Sequence, residues 1–180
     1  MPAKVSSSIR RRQARHRKSA VTALIPMTQD VFASYAEQSI KGYAHENIVA
    51  GRWPEQGALE RARQEFASRV PQGLATADHH FFEVRADAPG ATVGYLWLAI
   101  EERRGVRGAY IYDVVIHAPF RRQGHAKRAF QLLEPLVRSL GASSIGLHVF
   151  VHNPGAQALY EQLGYQATGI NMLKRLGPDA

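Results

Sequence analysis

Tyr110-Ile111-Tyr112-Asp113-Val114-Val115-Ile116-His117-Ala118-Pro119-Phe120, running straight into Arg121-Arg122-Gln123-Gly124-His125-Ala126, is the stretch on which the reading of this chain turns. From Tyr110 to Ile116 every residue except Asp113 is β-branched or aromatic, the composition of a central strand. Beyond the basic turn, Ala126, Ala129, Phe130, Leu133, Leu136, Val137 and Leu140 recur at helical spacing, and Gly141 stands where a C′ residue belongs. A turn between a strand and a helix leaves the first helical N–H groups unpaired, and the macrodipole adds attraction for anions. Gly124 tolerates a positive φ and lets a ligand approach the backbone, Ala126 is small, and Arg121 or Arg122 can contact phosphate oxygens. By itself the hexapeptide establishes only an anion-friendly helix entrance, because ordinary basic connectors use the same residues.

Downstream, Ser144 to Val151 is strand-like, with Ile145, Leu147 and Val149 on one face. Asn153-Pro154 then supplies a helix N-cap with proline at the first helical position. Ala156, Leu159, Tyr160 and Leu163 form the stripe of that helix, Gly164 ends it, and Tyr165 to Leu176 can supply one or two closing strands. Upstream, Val21 to Ile25 reads as a short strand leading to a helix that begins near Thr28. Val31, Phe32, Tyr35, Ala36 and Ile40 make its stripe. Trp53-Pro54 opens a second helix through Ala58, Ala62, Phe66 and Ala67, ending before Pro71. His79 to Val84 and Thr92 to Ile100 form a hairpin around Asp87-Ala88-Pro89-Gly90, and a second turn around Gly105 to Gly108 precedes the central strand. This order predicts a mixed α/β (α+β) sheet with helices on both faces.

With 180 residues and 45% hydrophobic composition the chain can bury one substantial core. A single domain over 19–180 is expected. Lys4, Arg10, Arg11, Arg12, Arg15, Arg17 and Lys18 account for most of the +8 net charge, with no acid among them, so the remainder is close to neutral. Residues 1–18 therefore read as a solvated basic tail, through which alone nucleic acid or a ribosome is a conceivable partner; an Arg- and Ser-rich organelle presequence has a similar composition. No apolar run approaches the roughly 20 residues that span a bilayer, so a soluble cytoplasmic protein without a membrane partner is expected. The absence of cysteine excludes disulfides and a thiol nucleophile.

The segment from Tyr110 through Arg121-Arg122-Gln123-Gly124-His125-Ala126 resembles motif A of the GNAT acyltransferase superfamily, matched at Arg121, Gly124 and Ala126. Leu147 to Tyr165 resembles the same superfamily's motif B in its Asn153, Ala156, Leu159-Tyr160 and Leu163-Gly164-Tyr165 landmarks. Arg122 and His125 depart from residues that are commonly glycine and apolar, and Ala118 stands where proline is frequent. The resemblance implies a mostly antiparallel central sheet whose strands splay apart at the cofactor cleft. It also implies acetyl-CoA as acyl donor, a primary amine of a small molecule or peptide as acceptor, and no metal. By position, Arg121, Arg122, Gln123, Gly124, His125 and Ala126 would hold the pyrophosphate. Val114 and Ile116 would pair with the pantetheine, and Asn153 would contact the cofactor nearby.

The resemblance also implies that Tyr160 assists the departing sulfur, whereas the stripe it lies on is equally that of a core aromatic. Free phenol and thiol pKa values of about 10 and 8.5 make full proton transfer to a thiolate uphill, so stabilising the thiolate matters more than donation. A base is needed because a lysine-like amine costs about 4 to 5 kcal/mol to deprotonate at neutral pH, against about 1 kcal/mol for an α-amine. Asp113, Glu83, His79, His80 and His148 are available. Asp113, just before the cofactor segment, is the first choice, and a buried aspartate with a basic partner is the competing reading. His148 and His152 lack the helix and glutamate of the His-Glu-x-x-His zinc pattern. A non-catalytic acyl-CoA sensor is the alternative for the whole domain, and the oligomeric state, monomer or homodimer, is open.

Overall fold

Thr28 starts the first helix as its position requires: its hydroxyl accepts from the Val31 N–H at 3.4 Å, and α1 runs from Gln29 to Val49. The structure, a computed structural model, describes residues 21–86, 90–103, 105–172 and 174, so the basic leader lies outside the described residues. Strands β1 (Thr22–Pro26), β2 (His79–Ala86), β3 (Ala91–Arg103), β4 (Val106–Ile116) and β5 (Ile145–Leu147) form one sheet in sequential order. The first three pairings are antiparallel and β4–β5 is parallel. Helices α2 (Ala58–Arg69), α3 (His125–Ser139) and α4 (Pro154–Gln162) complete the fold.

The two faces carry different cores. Phe82, Val84, Leu96, Leu98 and Ile100 meet Ala129, Phe130, Leu133 and Val137 of α3 and Tyr160 of α4 on one side. Each fully buried valine, leucine, isoleucine or phenylalanine among them stabilises the fold by about 1.5–3 kcal/mol. On the other side Phe81 and Trp97 pack with Phe32 and Tyr35 of α1, and Phe66 of α2 joins them. The Phe32 and Phe81 rings meet edge-on at 4.8 Å. This is the mixed, mostly antiparallel sheet with helices on both faces that the sequence predicts.

Three expectations need correction. The second helix begins at Ala58 behind Gly57, whose φ is +78°, and not at Trp53-Pro54. Trp53 instead meets Tyr43 edge-on at 5.3 Å, with the Arg61 guanidinium over its ring. The strand read over Ser144 to Val151 shrinks to Ile145–Leu147, because β4, its partner among the described residues, stops pairing with it at Ile111. Of the closing strands read over 165–176, residues 173, 175 and 176 lie outside the described residues; within 165–172 and at Lys174 no strand forms, and Ile170 and Met172 stay exposed, so no buried face fixes a register there.

The break at Ile111 has a local cause. Trp97 of β3 sits opposite Asp113, while the next residue, Leu98, sits opposite Ile111, so Tyr112 is an extra residue in β4. Such a bulge bends the strand and re-aims its side chains. Ala109 and Ile111 face the α3/α4 core before it, Val114 and Ile116 after it, and Tyr112 joins the α1/α2 core.

Candidate active site

The bulge decides where Asp113 points. In an unbroken strand Asp113 would share the face of Ile111. Here its Oδ2 accepts hydrogen bonds from Tyr35 Oη at 3.0 Å and Ser39 Oγ at 3.1 Å, both on α1. Burial raises the carboxyl pKa, while the two hydroxyls and the Val114 N–H pull it down. Among the described residues no basic side chain pairs with it, unlike the competing reading of a buried aspartate with a basic partner. The sequence gives Tyr35 and Ser39 no site signal: Tyr35 reads as part of the helical stripe, and Ser39 one turn later carries no motif. Their spacing does put two hydroxyls on one face of α1.

At the end of β4 the chain makes a 3-10 turn, Ala118–Phe120, and enters α3 through Gly124, whose φ is +88°. No atom lies within 4 Å of where a Cβ would stand on Gly124, so its backbone is open to a ligand. The backbone N–H groups from Arg122 to Lys127 have no hydrogen-bond partner among the described residues. Arg122 also takes a left-handed φ of +61°, a conformation that glycine adopts at less cost. The Arg121 side chain folds back, its Nε donating to the Ile116 carbonyl at 2.8 Å, and Gln123 Nε2 donates to the Pro119 carbonyl. His125 differs: its side chain is buried, with Nδ1 and Thr22 Oγ1 at 3.1 Å, so only its main chain faces the turn. The strand leading in is placed by Gly94 of β3, where a Cβ would come within 2.0 Å of the Val115 carbonyl oxygen.

The parallel ladder joins Ala109, Tyr110 and Ile111 to Ile145, Gly146 and Leu147 and goes no further, so 112–116 of β4 have no neighbour on that side among the described residues. A gap therefore opens between β4 and the chain that follows β5. After that chain Asn153 begins α4: its Oδ1 caps the helix by accepting from the Ala156 N–H at 3.1 Å, and its Nδ2 has no partner among the described residues. Tyr160 is 9% exposed, with its ring 5.4 Å from Phe130 and 5.8 Å from Tyr165. Its hydroxyl makes no hydrogen bond among the described residues. Burial first, and then the Asp113 charge, push the phenol pKa up to about 12. Tyr160 is thus both a core aromatic and a neutral hydroxyl without a hydrogen-bond partner among the described residues.

The other titratable candidates have different surroundings. Glu83 is buried in an ion pair with Arg85 at 3.0 Å. His79 Nδ1 accepts from Trp97 Nε1 at 2.9 Å, and burial lowers its pKa. His80 is likewise lowered by burial and lines a separate cavity with Met27 and Phe82. His148 stands edge-on to Phe150, its pKa lowered by partial burial and then by Arg52. His152 Nε2 lies 2.6 Å from Glu46, and among the described residues no group of three or more His, Asp or Glu side chains could hold a metal ion. No helix of the described residues is long and apolar enough to cross a membrane.

Comparison with known proteins agrees with this geometry. The profile described as "Acetyltransferase (GNAT) family" matches residues 43–165. The uncharacterized N-acetyltransferase YycN of Bacillus subtilis (strain 168) is 38% identical over 85% of this chain and 97% of its own length. YdgE of the same organism, also an uncharacterized N-acetyltransferase, is 35% identical over 83% and 95%. The crystal structure of YycN superposes with a TM-score of 0.82 at 37% identity, covering 87% of this chain and 99% of that one. A strand that bulges at Tyr112, a turn of unpaired N–H groups at the head of α3, and relatives matched over nearly their whole length lead to one conclusion: the chain belongs to the GNAT family of acetyltransferases.

Proposed function

We propose that this acetyltransferase moves an acetyl group from acetyl-CoA to a primary amine by direct attack in a ternary complex. The observation that carries the reading is the run of unpartnered N–H groups from Arg122 to Lys127 beside the open edge of β4. These residues fit a pyrophosphate: the donors are consecutive, Gly124 leaves room, and the α3 dipole favours anions. Backbone groups of Arg122, Gln123, Gly124, His125 and Ala126, with the guanidinium groups of Arg121 and Arg122, are assigned to it. The main chain of Val114 and Ile116 and the Nδ2 of Asn153 are assigned to the pantetheine.

Two side chains are assigned to proton handling. Tyr160 stays protonated far above neutral pH, so its hydroxyl can hydrogen-bond the leaving sulfur. Asp113 is the base. Its raised pKa brings the carboxyl closer to that of an amine, the direction a proton acceptor requires. The amine nitrogen forms the C–N bond as the C–S bond breaks. Its proton passes to Asp113, the sulfur leaves as thiolate supported by Tyr160, and a strand N–H of β4 supports the carbonyl oxygen. No covalent enzyme intermediate and no metal step is invoked.

Acetyl-CoA-dependent thiol release across an amine panel tests the reading, with Gly124→Glu as the cofactor-site control. Amine-dependent release in the parent, with acetyl-CoA affinity at least about tenfold weaker in the variant, is expected, because a carboxylate would replace open space in the anion seat. Binding of acetyl-CoA with no accelerated release by any amine would identify a non-catalytic sensor instead.

A further inference from the structure

Helix α1 touches both sides of the gap between β4 and the chain after β5. Tyr35 and Ser39 hold Asp113 of β4 at 3.0 and 3.1 Å, and further along the helix Glu46 lies 2.6 Å from Nε2 of His152, in the chain after β5. Ser39, Gly42 and Glu46 share one face of α1, and at roughly 1.5 Å per residue Ser39 and Glu46 stand about 10 Å apart. Between them Gly42 is exposed, and no atom lies within 4 Å of where its Cβ would stand. Glycine disfavours a helix interior, and here it keeps the face between the two contacts clear.

Arg52 stands at the far end of this span. The carbonyl of Asn47, a fully buried residue, accepts from the Arg52 N–H at 2.9 Å and from the Trp53 N–H at 3.2 Å, and Gly51 turns the chain with a φ of +64°. The turn keeps Arg52 close to the end of α1. Its guanidinium lies over the Phe150 ring at 5.9 Å, and His148, edge-on to the same ring at 4.9 Å, feels its charge. Because His148 and Phe150 belong to the chain after β5, Arg52 sits on the β5 side of the gap and Asp113 on the β4 side. Arg52 makes no ion pair among the described residues, and Glu46, the last acid of α1, is engaged with His152. A guanidinium laid on an aromatic ring keeps its N–H fork available to a carboxylate.

The two ends of the span therefore offer groups of opposite kind, a carboxyl at Asp113 and a guanidinium at Arg52. Resting on the amine-acetylation reading above, we propose that the acceptor is an aliphatic amine carrying a carboxylate about 10 Å from the reacting nitrogen, and that Arg52 receives this carboxylate. The amine lies at Asp113, the chain passes Gly42, and the carboxylate meets the Arg52 fork. The carboxylate takes no part in the bond exchange, which is that of the parent reaction: the C–N bond forms, the C–S bond breaks and the amine proton passes to Asp113.

The test compares straight ω-amino carboxylates with straight monoalkylamines of equal length, reading kcat/KM by thiol release. The carboxylate should be preferred by about tenfold once the chain spans the distance, the value of one charge-assisted contact, and not at shorter lengths. In Arg52→Gln that ratio should collapse toward unity while the monoalkylamine rates hold. Gly42→Leu provides a second variant, since leucine favours the helix and its side chain would fill the clear face. It should raise KM for long ω-amino carboxylates more than for short monoalkylamines. Acetyl-CoA binding by calorimetry reports which variants are folded. Equal kcat/KM for matched pairs, or a preference that survives Arg52→Gln in a folded protein, overturns the assignment of Arg52 while leaving amine acetylation standing. An unchanged KM for the long carboxylates in Gly42→Leu overturns the path along α1. Failure of every amine, with acetyl-CoA bound, overturns the reaction itself.

Discussion

Tyr35, on the first helix, donates its hydroxyl proton to Oδ2 of Asp113, on the fourth strand, at 3.0 Å, and Tyr35 is fully buried. The bond ties α1 to the point where β4 bulges and leaves β5. It fixes the orientation of the proposed base. Because Tyr35 is closed to solvent and its own pKa is raised, first by burial and then by the Asp113 charge, it acts as a donor throughout the accessible pH range.

Asp113→Asn separates chemistry from folding. The variant keeps an acceptor for Tyr35 and Ser39 but cannot take a proton. Acetyl transfer should fall by at least about a hundredfold. For stability, the folded pKa of Asp113 is raised, so the folded state binds its proton more tightly than the unfolded chain. The associated stability is present below the ordinary carboxyl value of about 3.9 and is lost as pH rises through the folded value. The parent should therefore lose stability relative to the variant across that rise, read from urea midpoints at several pH values. Full activity in a folded variant would remove Asp113 from the role of base.

Tyr160→Phe should leave the fold intact, since the ring contacts with Phe130 and Tyr165 persist, and lower kcat by about a hundredfold with little change in KM. With its pKa at about 12, Tyr160 should impose no alkaline limb on the parent's rate near pH 10. A limb there that disappears in the phenylalanine variant would contradict the raised value. The parent's stability advantage from the neutral phenol is present below pH of about 10 and lost as pH rises toward the folded value.

The α3 entrance makes opposite predictions at two neighbouring positions. Arg122→Gly relieves a left-handed non-glycine residue and should stabilise the protein by about 0.5–1 kcal/mol, while weakening acetyl-CoA binding a few-fold through the lost guanidinium. Gly124→Ala imposes a Cβ at φ +88° and should cost about 1–2 kcal/mol. Thermal midpoints and calorimetric acetyl-CoA affinities decide both.

Removing residues 1–18 should leave amine acetylation unchanged within about twofold, because that segment carries charge but none of the assigned site residues. A loss of activity on truncation, or RNA binding by the full chain with a steep salt dependence that vanishes on truncation, would give the leader a role of its own.

Sequence alone determined whatever is encoded within a few neighbouring residues. The Thr28 and Asn153 caps, the αL position of Gly124 and the stripes of α1, α3 and α4 are local chemistry, and the motifs that resemble the family lie in the same short stretches. Tertiary structure decided what depends on residues far apart in the chain. The bulge at Tyr112 exists only as a register between β3 and β4, and it turns Asp113 from the face of Ile111 to Tyr35 and Ser39. The same register ends β5 at Leu147, where an alternating pattern had suggested a longer strand. A strand's period is written in its own residues, but its length and the side its odd residue faces are set by the partner it pairs with.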